Sequence, residues 1–105
     1  MKSITRTEVV LFLKKEKTTY EAVVILFIIR KTNTKINYIP HIVIKEEYLG
    51  VRFLTEMEIG KRQNVLFEAF YDEVDYSLLK QNSVFQIREG SKTVGIGKVI
   101  KINEK

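Results

Sequence analysis

Ser83 to Ile102, SVFQIREGSKTVGIGKVIKI, reads as two extended segments, Val84 to Arg88 and Thr93 to Ile102, joined by a turn at Glu89-Gly90-Ser91-Lys92. β-Branched and aromatic residues fill both segments, as strands favour, and Gly90 admits the turn conformation that a Cβ would penalise. Gly95 and Gly97 alternate on one face of the second segment, where they let a neighbouring backbone or side chain come close as a sheet curves tightly. Continued alternation turns Val94, Ile96, Ile100 and Ile102 toward the core, with Lys98 the exception in their register. Gly95-Ile96-Gly97 is no dinucleotide fingerprint, because position 100 is Ile and no helix follows.

Upstream of this hairpin, Asp72 to Asn82 is a polar loop with room for one helical turn. Val65 to Tyr71 alternates, with Val65, Phe67, Ala69 and Tyr71 as the core face. Glu56 to Asn64 is a connection in which Gly60 supplies a positive φ. Val51 to Leu54 alternates as a half-buried strand does, and Glu46 to Gly50 is read as the turn before it. Ile36 to Ile44 is extended but contains Pro40, which has no N–H for a ladder and marks an edge or bulge between two short pieces.

Tyr20 to Arg30 holds an unbroken apolar run, Ala22 to Ile29, which β-branched residues dominate and which Lys31-Thr32-Asn33-Thr34 stops early; strand is favoured over buried helix. An unbroken run predicts a strand covered on both faces. In a small domain that cover comes from an additional layer or a partner chain, so Val23, Ile25, Phe27 and Ile29 are candidate contacts with a partner or a second copy; the plainer alternative is that the N-terminal strand or a loop lies over them. Val9 to Leu13 forms a further strand or arm within residues 1–19, ahead of one domain over residues 20–105.

Composition bounds the rest. A chain of 105 residues with 45% apolar and 30% charged residues and one proline has the make-up of a single folded domain, not of a disordered segment. There is no cysteine, which excludes disulfides, thiolate metal sites and a cysteine nucleophile. Val9 to Leu13 is too short for a signal-peptide core and Ala22 to Ile29 too short for a membrane helix of roughly 20 residues. A soluble, cytoplasmic protein is expected. The net charge of +5 is uneven: residues 1–45 carry 9 basic and 3 acidic groups, residues 46–80 carry 4 and 8, and residues 81–105 carry 5 and 2. A basic face built from both ends of the chain invites comparison with nucleic-acid binders, but it is mostly lysine and little interleaved with aromatic residues.

Phe85-Gln86-Ile87-Arg88-Glu89-Gly90-Ser91-Lys92-Thr93-Val94-Gly95-Ile96-Gly97-Lys98-Val99 resembles the last hairpin of the elongation factor Tu family, whose third domain ends in F-x-I-R-E-G-x-[RK]-T-V-G-x-G-x-V. All the defined positions match: Phe85, Ile87, Arg88, Glu89, Gly90, Lys92, Thr93, Val94, Gly95, Gly97 and Val99. Weaker similarity continues upstream at Tyr20-Glu21-Ala22, Ile42-Val43-Ile44-Lys45 and Asn64-Val65. The resemblance implies an all-β fold, a small antiparallel six-stranded barrel. It also implies a binding role, since in that family the barrel helps to hold the T-stem of aminoacyl-tRNA and the nucleotide-exchange factor. The family's Gly-rich phosphate loop and its Asn-Lys-x-Asp pattern are missing, so GTP hydrolysis does not carry over. The family's Ile-His-Pro is replaced by residues around Tyr71-Asp72-Glu73.

No residue set amounts to a catalytic site. His41 is the only histidine, and Ser3, Ser77, Ser83 and Ser91 lack the context of a nucleophile elbow. Glu68, Asp72, Glu73 and Asp75 lack the alternating donors and turn glycine of a calcium loop. Arg88 and Glu89 suggest a local ion pair, while Arg88, Lys92 and Lys98 are the candidate anion or RNA contacts. The sequence therefore points to a non-catalytic binding module, without cofactor, metal or small-molecule substrate, that takes a protein partner or self-associates. The alternative is a basic module for RNA, tRNA in particular.

Overall fold

The structure, a computed structural model, describes residues 17–27 and 37–104. Its six strands are β1 (Thr19–Leu26), β2 (His41–Ile44), β3 (Glu47–Phe53), β4 (Gln63–Ala69), β5 (Val84–Glu89) and β6 (Lys92–Asn103). They close into an antiparallel barrel in the order β1-β4-β3-β2-β5-β6, with β6 returning to β1. The all-β six-stranded barrel expected from the hairpin is the observed architecture. Among the described residues no helix is long and apolar enough to cross a membrane. The Val9 to Leu13 strand and most of the arm at residues 1–19 lie outside the described residues, as does Ile29.

Each strand turns alternate residues inward. From β1 these are Tyr20, Ala22, Val24 and Leu26, all buried, which places Val23 and Ile25 on the outer surface, half-buried. Over the described residues the apolar run is therefore an alternating strand, and β1 ends at Leu26. From β4 the core receives Val65 and Phe67, while Ala69 is half-buried and Tyr71 is exposed beyond the strand. Aromatic rings form the centre: Phe67 lies 5.1 Å from Tyr20, 5.2 Å from Phe53 and 5.7 Å from Phe85, ring centre to ring centre.

β6 departs from simple alternation. Its pairing skips Val94 opposite β5, between Ile87↔Gly95 and Arg88↔Thr93. It skips Ile100 opposite β1, between Glu21↔Lys101 and Ala22↔Val99. Each extra residue is a bulge that reverses the facing of the residues beyond it. Val94 is buried and Ile102 partly buried, but Gly95, Gly97 and Val99 occupy the inward positions between the bulges and leave Ile96 and Ile100 exposed. The expectation that Ile96 and Ile100 face the core is thus corrected.

The reason is space. Gly97 lies between Val24 on β1 and Phe85 on β5, and a Cβ there would sit 2.5 Å from Phe85 Cζ and 2.8 Å from Val24 Cγ1. Gly95 lies between Leu26 and Ile87, and its Cβ would meet the Ile25 carbonyl oxygen at 2.7 Å. Flanking side chains fill the volume that β6 leaves empty.

The turns differ in detail from the sequence reading. The closing hairpin turns on Gly90 and Ser91 alone, with Gly90 at φ 64° and Glu89 paired to Lys92. The β2–β3 turn falls at Lys45 and Glu46, both at positive φ (50° and 70°), and not at Glu46 to Gly50, so β3 begins at Glu47. Gly60 has the expected positive φ of 73°. Pro40 separates a bridge at Tyr38 from β2, and its carbonyl accepts from Val51 N–H at 3.2 Å.

The loop from Phe70 to Ser83 is fixed at Gly50. The Gly50 carbonyl accepts from Phe70 N–H at 3.1 Å and from the Tyr76 hydroxyl at 2.5 Å, and the Tyr71 ring fills the space where a Gly50 Cβ would stand. Leu79 is buried against the core at this barrel end.

Gly97→Ala is expected to destabilise the fold by about 1–3 kcal/mol through overpacking. Phe85→Leu is expected to cost less in the Gly97→Ala background than alone, because the smaller side chain relieves the overlap. Urea denaturation of the double-mutant cycle measures this coupling; additive changes would contradict the packing account.

Candidate functional site

Barrel closure and the reversed facing of β6 create an apolar outer surface. Across neighbouring strands the register aligns Ile25 with Ile96, Ile96 with Gln86, Gln86 with Val43, and Val43 with Tyr48. A second row aligns Val23 with Lys98 and Lys98 with Val84. Val84 is 65% exposed, Tyr48 48% and Ile96 42%. Phe27, just past β1 and held by its N–H to the Val94 carbonyl at 2.7 Å, is 50% exposed. Isolated exposed apolar side chains are ordinary, whereas a set grouped on adjacent strands is a candidate interaction surface.

Of the candidate contacts on β1, Val23 and Ile25 belong to this surface and Phe27 lies beyond the end of the strand. Sequence reasoning does not single out Val43, Tyr48, Val84 or Ile96. Val84 and Tyr48 sit next to residues read as core or turn, and uninterrupted alternation places Ile96 inside. The two glycines flanking Ile96 hold the available signal: if they face inward, Ile96 faces out.

The motif's polar residues occupy the same side of the barrel. Arg88 Nε donates to Thr93 Oγ1 at 3.1 Å and to Gln86 Oε1 at 3.2 Å, and Arg88 Nη1 donates to the Tyr48 hydroxyl at 2.7 Å. The guanidinium carbon stands 5.9 Å from the centre of the Tyr48 ring, and the His41 ring approaches the same tyrosine edge-on. The expected Arg88–Glu89 ion pair is not formed; Glu89 instead accepts the Tyr38 hydroxyl. Lys98 lies opposite Val84, toward the other end of the β5–β6 ladder from Arg88, and Lys92 is exposed at the turn. Apolar residues separate Arg88 from Lys98. The other motif positions serve the barrel: Phe85, Ile87, Val94 and Val99 are buried, Gly95 and Gly97 make room, Gly90 turns and Thr93 holds Arg88.

Between the β2–β3 hairpin, β5 and β6 lies a groove of about 560 Å³ lined by Val43, Lys45, Glu46, Tyr48, Val84, Gln86, Arg88 and Ile96, among others. A second cavity, of about 530 Å³, opens at the barrel end where β1 begins and β6 finishes, and Lys17, Tyr20, Tyr71, Tyr76, Lys80 and Glu104 contribute to its lining. Lys17 is engaged there with Asp72 at 2.9 Å and with the Phe70 carbonyl at 2.8 Å.

The structure disperses the acidic residues. Glu68 pairs with Arg52 across β3 and β4, Asp72 with Lys17, and Asp75 accepts from Ser77 N–H at 2.9 Å, which holds its carboxyl below the usual range. Among the described residues no group of three or more His, Cys, Asp or Glu is placed to hold a metal ion. No protein-family model matches the chain, and no curated protein matches it.

Burial pushes the Tyr20 hydroxyl up to about 12, with the Tyr76 hydroxyl and the Glu104 carboxylate adding to the effect. The folded state keeps a proton that the unfolded chain releases near pH 10. The resulting stabilisation is therefore complete below pH 10 and lost as pH rises toward 12. Tyr20→Phe is expected to lose less melting temperature between pH 9 and pH 11 than the wild type. Parallel losses in thermal melts would remove Tyr20 as the source.

Proposed function

We propose that this barrel is a non-catalytic protein-interaction module that binds a partner, or a second copy, through the outer face of β1, β6, β5 and β2. The observation that carries the reading is that Val23, Ile25, Ile96, Val84 and Val43 face outward from adjacent strands, Ile25 directly beside Ile96, with Lys98 and Gln86 between the others. Removing such a patch from water contributes roughly 25 cal/mol for each Å² of apolar area buried. The resemblance of the closing hairpin to the elongation factor Tu third domain supports the same reading, because that family uses this barrel as a binding surface. RNA is the second reading: among the described residues Arg88 and Lys98 flank an aliphatic patch, whereas single-strand binders combine a groove of positive charge with rings for bases to stack on.

Ile96→Glu and Val84→Lys keep the outward positions but place charge in the patch. Wild-type protein is expected to form a larger species in size exclusion with light scattering, or to capture a partner that these variants fail to capture, while thermal melts of the variants stay within a few degrees of wild type. A wild-type monomer that shows the same capture profile as both variants would refute the reading. Salt titration with a single-stranded RNA separates the second reading, since phosphate contacts require affinity to fall with rising salt.

A further inference from the structure

We propose that the groove between the β2–β3 hairpin and β5–β6 receives an acidic, apolar peptide segment, with a carboxylate on Arg88 and an aliphatic or aromatic side chain on Val43, Val84 and Ile96. The inference rests on the protein-binding reading above and specifies the chemistry of the partner. Two features of the groove carry it.

The first is the state of Arg88. Its contacts are the hydroxyls of Thr93 and Tyr48 and the amide oxygen of Gln86, all neutral acceptors. Among the described residues no carboxylate pairs with it. These bonds use Nε and one N–H of Nη1, which leaves the second Nη1 N–H and both of Nη2. Held against the Tyr48 ring and fixed at Nε, the guanidinium is pre-organised, so little side-chain freedom remains to be lost when a carboxylate takes the remaining fork. On the far side of the barrel, by contrast, the outward Arg52 is neutralised by Glu68.

The second is what adjoins it. Val84, Ile96 and Val43 face outward from three neighbouring strands, and Gln86 lies between Ile96 and Val43 in the ladder. The charged groups at the hairpin end of the groove are Lys45 and Glu46, of opposite sign. Among the described residues Arg88 is thus a charge with no carboxylate partner beside an aliphatic floor. A partner that buries this floor must also cover Arg88, and covering an unpaired guanidinium is costly unless an anion accompanies it. A carboxylate within reach of an apolar side chain meets both requirements.

Three short peptides that share a Leu-Phe-Leu centre and differ only in their flanks, glutamate, glutamine or lysine, test this by NMR titration of the folded chain. The glutamate peptide is expected to shift the signals of Val84, Ile96 and Arg88 Nε, and to bind about tenfold more tightly than the glutamine peptide, in line with one charge-assisted contact. Arg88→Gln should abolish that preference and Arg88→Lys should keep only part of it, with thermal melts confirming that both variants fold. Equal binding of the glutamate and glutamine peptides, shifts outside the groove, or a preference that survives Arg88→Gln would overturn the proposal. So would Arg88-dependent binding of a single-stranded RNA in place of the peptides. If Ile96→Glu abolishes partner capture while Arg88→Gln leaves both capture and peptide preference unchanged, the groove assignment fails and the interaction module stands. If neither variant changes capture, both fail.

Discussion

The structure depends on the limited room inside a ring of six strands. Eight strands enclose an interior just wide enough for side chains to fill, and six enclose less. β6 answers this with Gly95 and Gly97 at inward positions, so that Val24 and Leu26 from one side and Phe85 and Ile87 from the other occupy the space beside its backbone. Phe85 then reaches Phe67, which touches Tyr20 and Phe53 in turn. The same choice fixes the exterior: with glycines inside, Ile96 stands outside, next to Ile25. One steric requirement produces both the core and the apolar surface.

Electrostatics divide the barrel's exterior. On β3 and β4, Arg52 and Glu68 neutralise each other, and Tyr71 folds over Gly50. On β5 and β6, Arg88 is oriented by neutral oxygens and Lys98 sits among aliphatic side chains. The acidic excess of residues 46–80 is largely outside this second face, because it belongs to turns, to the loop after β4 and to paired groups.

The fold is legible in the closing hairpin because its alternation, its turn glycine and its paired glycines agree with one another. Gly90 and Gly60 mark positive φ as composition suggests. Lys45 and Glu46 do the same without being turn formers, and so the sequence places the β2–β3 turn too late. Facing along β6 is half legible: Val94 and Ile102 point inward as alternation requires, but bulges at Val94 and Ile100 turn Ile96 outward between them and leave Ile100, at the second bulge, exposed. A bulge leaves little trace in composition. The β1 run misleads for another reason, since valines and isoleucines on an outer surface look the same in sequence as those in a core. The proposed binding surface is only partly legible, because it joins β1, β6, β5, β2 and β3, whose adjacency is a property of topology and not of sequence order.

Closure carries a further consequence. Among the described residues every strand of the ring is hydrogen-bonded to a neighbour on both sides, so the ring has no wholly unpaired edge strand. Joining a sheet as an added strand, a common way for a β domain to capture a peptide with little regard to its sequence, starts from such an edge. A partner of the proposed kind would be distinguished chiefly by outward side chains. The outward side chains of such a ring can be exchanged by a few surface substitutions, in evolution or by design, while the glycine row and the aromatic interior continue to specify the same barrel.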